Sequence, residues 1–182
     1  RSRKLSLVLV LAMLMTMFAG LGTAQAAIVE YSTYGVPTVQ TQNDFNKDLG
    51  KILVEIDDVT YLNDTDNWVT LKMPSGVSIR DAKTEAPAHP ASVTIPDASV
   101  SDNIYAEVFF KNSSTVDIKV SPKAGGTAGK AKFTIEFNGV KVQSGSGNLD
   151  VTFIPQSGSI LPGGTVTIAN IVSKGATQAA VS

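Results

Sequence analysis

The chain has 182 residues, 43% hydrophobic and 17% charged, with no cysteine, one histidine and a formal net charge of −1. Without cysteine there is no disulfide, thiol nucleophile or cysteine-based zinc site. The acidic balance speaks against nucleic acid or an anionic membrane surface as a partner, since both call for a basic stripe.

Arg1, Arg3 and Lys4 precede an apolar run over residues 5–19, and the stretch closes on Ala24-Gln25-Ala26. A basic head, an apolar middle and a small-residue site in that order predict a secretory signal peptide over 1–26, cleaved after Ala26. Gly20, Gly22 and Thr23 hold the apolar run below the roughly 20 residues of a spanning helix, so no membrane association is expected after cleavage. The mature chain would have 156 residues and a net charge of −4, with 12 Lys and Arg against 16 Asp and Glu. That length suits one domain, secreted to the extracellular space or the cell surface.

Residues 27–46 are polar and mixed, with Tyr31, Tyr34 and Val36-Pro37-Thr38-Val39. They read as an extended lead-in suited to an edge or donor strand, where proline is tolerated. Residues 47–173 read as the sandwich domain. Within 49–79, Ile52, Val54 and Ile56 alternate with Lys51, Glu55 and Asp57, and Val69, Leu71 and Met73 with Trp68, Thr70 and Lys72. A period of two predicts two half-buried strands, joined by a tight polar turn.

Residues 80–90, with Pro87 and Pro90, read as loop, and 91–95 as a short strand stopped by Pro96-Asp97. Residues 104–111 and 115–120 flank Asn112-Ser113-Ser114 as a hairpin. After a glycine-rich loop over 121–129, Ala131, Phe133, Ile135 and Phe137 share one face, with Lys132, Thr134 and Glu136 on the other. Asn138-Gly139 predicts a hairpin return through Val140 and Val142. Leu149, Val151 and Phe153 mark one strand and Val166, Ile168 and Ile171 the next, around Leu161-Pro162-Gly163-Gly164. Residues 174–182 read as a linker or truncated tail. Some eight to ten strands with no helical periodicity predict an all-β, antiparallel β-sandwich, immunoglobulin-like or jelly-roll-like.

Chemistry-bearing residues are sparse. In Asn63-Asp64-Thr65-Asp66-Asn67, close after Asp57-Asp58, Asp64 and Asp66 are candidate ligands for calcium, a hard cation that takes oxygen ligands. The same residues equally suit a plain β-turn, and no EF-hand spacing follows. His89 has no second histidine or cysteine to work with. Gly145-Ser146-Gly147 is a turn rather than a nucleophile elbow. Residues 123–130 lack the spacing and the following helix of a phosphate-binding loop. Tyr31, Tyr34, Trp68 and Tyr105 are candidates for an aromatic sugar platform but are scattered along the chain. No catalytic residue is assigned, and no cofactor beyond the calcium candidate.

The leader, followed by LGKILVEIDD, a turn, WVTLKMPSGVSI and a closing GSILPGGTVTIANIVSKG, resembles β-sandwich modules of secreted Firmicutes cell-surface proteins. Some of these are S-layer-like, and many occur with a copper amine oxidase N-terminal-type domain. The resemblance rests on the LG-x-I-x-(V/I) strand, the L-x-(L/M)-P-S-G-V strand end and the G-x-V-x-(I/V)-A-x-(I/V) strand, across most of residues 49–175. It implies an extracellular module, often in tandem, used in surface layers or assembly rather than catalysis. It implies no copper site, because no ligand set is present.

The functional expectation is a secreted structural module that self-assembles into a surface layer or fibre as a homo-oligomer or polymer, through packing and donor-strand contacts. The alternative is an adhesive module that binds cell-wall carbohydrate or calcium.

Overall fold

The computed structural model describes residues 28–62, 66–125 and 128–173. The leader expected over 1–26 and the tail expected over 174–182 lie outside them. Thirteen strands run in chain order: β1 Val29–Tyr34, β2 Thr38–Gln40, β3 Gln42–Lys47, β4 Lys51–Ile56, β5 Asn67–Lys72, β6 Val77–Ser78, β7 Val93–Thr94, β8 Ile104–Asn112, β9 Thr115–Pro122, β10 Ala131–Phe137, β11 Val140–Val142, β12 Gly147–Pro155 and β13 Gly164–Val172. The extra strands over the expected number are mostly pieces of two or three residues. Two 3-10 turns, Val59–Leu62 and Asp97–Ser99, are the only helical segments among the described residues. None is long and apolar enough to cross a membrane.

The strands form a four-stranded sheet in the order β1-β4-β10-β7, a six-stranded sheet β2-β13-β12-β5-β9-β8 and a small sheet β3-β11-β6. Every pairing is antiparallel except that of β2 with β13. The chain is an all-β, antiparallel β-sandwich. Its core is continuous across the three sheets: Ile52, Val54, Phe133 and Ile135 from the first, Leu71, Ile118, Leu149 and Phe153 from the second, Val77, Val140 and Val142 from the third. Each such side chain contributes about 1.5–3 kcal/mol when withdrawn from water. The alternations read in β4, β5 and β10 place the expected residues inward. Thr134, expected outside, is covered: its N–H donates to Ser99 Oγ at 3.1 Å, in the turn that crosses above it.

Two expected connections are different in the fold. Residues 57–66 do not join neighbouring strands, because β4 belongs to the four-stranded sheet and β5 to the six-stranded one. In its described part the connection forms the 3-10 turn Val59–Leu62, which buries Val59 and Leu62. Asn138-Gly139 makes a tight bend, with Gly139 at φ 58°, yet β10 and β11 do not pair. β10 lies between β4 and β7, and β11 between β3 and β6. The bend is held instead by Asp48 Oδ1, which accepts from Gly139 N–H at 3.0 Å, and by Ser92 O, which accepts from Asn138 N–H at 2.9 Å.

The lead-in is built into both main sheets. β1 runs antiparallel along β4, from Val29 opposite Ile56 to Tyr34 opposite Lys51. After Gly35-Val36-Pro37 the chain crosses over, and β2 lies parallel to β13, with Thr38 opposite Asn170. Three hydrogen bonds close this side: Asn170 N–H to Pro37 O at 2.8 Å, Thr41 N–H to Val172 O at 3.2 Å and Gly50 N–H to Ile168 O at 2.7 Å.

Candidate functional site

The acidic turn sits at the 57–66 crossover. Asp64 lies outside the described residues. Asp66 Oδ2 is 3.3 Å from Lys119 Nζ, an ion pair across to β9. Asp58 Oδ1 accepts from Thr60 N–H at 2.9 Å and Gly129 N–H at 3.4 Å. Those backbone bonds hold its carboxyl below the usual carboxylate range. Asp57 Oδ1 is 3.1 Å from Lys130 Nζ, and that bond raises the lysine above its ordinary value. The described carboxylates thus turn to separate partners, and no three His, Cys, Asp or Glu groups among the described residues converge on a point a metal ion could occupy.

The other single residues are placed as simply. His89 is half-buried; its ring Nδ1 lies 3.3 Å from Pro90 O, and its backbone pairs with Lys83, Lys83 N–H donating to His89 O at 2.9 Å and His89 N–H to Lys83 O at 3.2 Å. Gly145 and Gly147 both adopt positive φ in the bend that leads into β12.

The four scattered aromatics are not brought together. Tyr31 stacks on Phe153 inside the sandwich, with ring centroids 4.0 Å apart, and burial pushes its phenol up. Tyr34, three residues on in the same strand β1, is exposed, its hydroxyl 3.4 Å from Thr134 Oγ1. Trp68 and Tyr105 do share a surface, the outer face of the six-stranded sheet. Trp68 meets Phe109 with centroids 5.2 Å apart, while Lys123 Nζ stands 5.0 Å above the Tyr105 ring.

That outer face is the most developed surface of the molecule. Alternation sends Val116, Ile118 and Val120 of β9 inward and leaves Asp117 and Lys119 outward. Register then aligns Trp68, Lys119 and Glu107 in one row and Thr70, Asp117 and Phe109 in the next. Lys119 Nζ lies 3.7 Å from Glu107 Oε2 and 5.8 Å from the centre of the Trp68 ring. Asp117 accepts from Thr70 Oγ1 at 2.7 Å and is 3.1 Å from Lys111 Nζ. Tyr105, Phe109 and Ile154 are 55%, 42% and 45% exposed on it. Rigid aromatic groups among ion pairs on a flat sheet suit non-covalent recognition. The hairpin reading identified the strands but passed over this face, although Tyr105, Glu107 and Phe109 fall at alternate positions in the sequence.

A shallow cleft of about 500 Å³ opens on the far sheet between Glu30, Glu55, Asp57, Lys130 and Lys132. Glu55 stands between Glu30 and Lys132 in the ladder.

No protein-family model and no curated protein matches the chain. Among solved structures it is similar to a non-cellulosomal cohesin from the hyperthermophilic archaeon Archaeoglobus fulgidus, at 13% identity and a TM-score of 0.40, over 81% of this chain and 93% of that one. It is also similar to AggA, the major subunit of aggregative adherence fimbriae type I from Escherichia coli, at 11% identity and a TM-score of 0.30, over 80% of this chain and 94% of that one. At that distance neither likeness says what this chain binds.

Proposed function

We propose that the chain is a non-catalytic structural module of an extracellular surface assembly, a layer or fibre whose subunits join through their sheet edges. One observation carries this reading: a single segment, residues 28–40, supplies the edge strand of both main sheets. Such a segment is exchangeable, because a neighbour's copy can make the same ladders along β4 and β13 without loss of a hydrogen bond. A head-to-tail exchange whose rotation does not close into a ring builds open filaments. The leader pattern over 1–26 and the resemblance to surface-layer modules support the extracellular setting.

Ser32 and Leu53 stand directly opposite each other in the β1–β4 ladder, at a spacing that suits a disulfide. The double variant Ser32→Cys/Leu53→Cys of the mature chain therefore reports whose β1 lies on whose β4. Exchange yields covalent ladders of linked chains on a non-reducing gel, and particles or filaments by electron microscopy. Assembled particles that run as single chains would sink the exchange.

A further inference from the structure

The six-stranded sheet ends at β8, Ile104–Asn112, a nine-residue strand of sequence IYAEVFFKN. Among the described residues no strand pairs with its outer side. Lys123 N–H donates to Asn103 O at 3.0 Å, and this bond sets the phase of the β8–β9 ladder. Bonding alternates along an antiparallel pair, so Tyr105, Glu107 and Phe109 turn their backbone groups to β9, and Ala106, Val108 and Phe110 turn theirs outward. Long, apolar, unpaired edges are templates for another strand. Here Tyr105, Phe109 and Phe110 are 55%, 42% and 36% exposed along it.

We infer that β8 pairs with β8 of a second copy, antiparallel about a two-fold axis at Phe109. The charges select that register. With Phe109 opposite its own copy, Glu107 of each chain faces Lys111 of the other, and Val108 faces Phe110 with both backbones turned toward the shared edge. Centring the axis on Glu107 puts like charges together. Centring it on Val108 sets Glu107 against Phe109 and gives neither charge an opposite partner across the seam, beyond the Lys119 and Asp117 each already meets on β9. Lys111 and Glu107 lie on the same outer face, since they meet Asp117 and Lys119 there. The register shift falls between Phe110 and Asn112, at Lys111 itself, so the regular run ends on the last charged residue. The contact is isologous and gives a closed dimer, joining two six-stranded sheets into one of twelve strands. It rests on the assembly reading and deepens it by naming a second contact, separate from residues 28–40.

The native chain has no cysteine, so single cysteines report the contact directly. In the inferred register Phe109→Cys sits opposite itself at a non-hydrogen-bonded pair, within disulfide reach. Under mild oxidation at micromolar concentration it is expected to form a linked dimer at least tenfold faster than Ser157→Cys, placed in an exposed loop. Glu107→Lys and Lys111→Glu are each expected to weaken the dimer about tenfold in sedimentation, and Glu107→Lys/Lys111→Glu to restore it. Circular dichroism melts of the same variants separate misfolding from lost pairing. Cross-linking of Phe109→Cys no faster than the loop control, or no rescue by the double swap, overturns the inference. Where the mature chain still assembles in that case, the edge-association reading stands without it; a chain that stays monomeric throughout overturns both.

Discussion

Tyr31 lies on Phe153 with ring planes 11° apart and centroids 4.0 Å apart, and its hydroxyl donates to Pro162 O at 3.0 Å. β1 and β12 belong to different sheets, so this stack fastens the N-terminal segment across the sandwich. Whichever chain supplies β1, the site that receives it is built for a tyrosine.

Removing that ring costs core contacts as well as a hydrogen bond. Tyr31→Ala is expected to lower stability by about 3 kcal/mol, and Tyr31→Phe by about 1 kcal/mol, the worth of one partly buried hydrogen bond. The phenol also titrates higher in the folded chain than its ordinary 10.0. A raised value means stability is fully present below pH 10 and falls as pH climbs past it, because the unfolded chain ionises first. Urea unfolding at neutral and alkaline pH checks both points. Tyr31→Phe should show a shallower alkaline loss than the parent, and an unchanged alkaline slope would count against the assignment.

Gly50 sits just before β4, where its N–H donates to Ile168 O of β13 at 2.7 Å. A β-carbon there would lie 2.8 Å from Ile168 O, 3.2 Å from Val36 Cα and 3.3 Å from Tyr34 O, all of them backbone atoms. None can swing aside as a side-chain tip can. Gly50→Ala is therefore expected to cost about 1–3 kcal/mol, read as a drop in thermal midpoint. A variant as stable as the parent would show that this contact is looser than described.

Ser92 is fully buried and ties the long 79–92 segment to the bend at Asn138-Gly139. Its hydroxyl donates to Gly139 O at 3.0 Å and accepts from Arg80 N–H at 3.1 Å. Ser92→Ala leaves both groups without that partner, so a loss of about 2 kcal/mol is expected in denaturant titration. Amide exchange should quicken first at Arg80 and Val140, on either side of the serine.

The strands themselves were legible because each carries its own period. Ile52, Val54 and Ile56 alternate inward without help from the rest of the chain, and so do Val69 and Leu71. The uneven spacing of Val166, Ile168 and Ile171 gains its reason from the structure: the ladder shifts register between Leu149 and Asp150, leaving Ile168 between paired Thr167 and Ala169. Local pairing was legible in the hairpin around Asn112-Ser113-Ser114, where β8 lies on β9 as read, but the remaining neighbours were not, since they depend on contacts far apart in sequence. Asn138-Gly139 has the composition of a hairpin turn, but Asp48 and Ser92 redirect the chain there, and neither is local. Two glycines of the quoted motifs, Gly50 and Gly76, gain their reason from such remote neighbours. At Gly76, with φ 81°, a β-carbon would fall 2.8 Å from Ser144 O. For the surface, Tyr105, Glu107 and Phe109 are plain in the sequence, but their value depends on β8 ending a sheet.

Asp58 offers a test of the crossover turn through pH. Its carboxylate accepts the N–H groups of Thr60 and Gly129, which together with the Thr60 side chain lower its value below the ordinary 3.8. The folded chain therefore gives up this proton more readily than the unfolded chain does. The contribution is present above about pH 4 and is lost as pH falls through the lowered folded value. Asp58→Asn keeps an oxygen that can accept from Thr60 N–H but cannot titrate. At neutral pH the variant is expected to be somewhat less stable than the parent, because bonds to a charged acceptor are the stronger ones. As pH falls from 5 toward 2 the two unfolding curves should converge. A gap that stays constant across that range would mean the carboxylate charge does nothing for the turn, and that Asp58 acts there only through its shape.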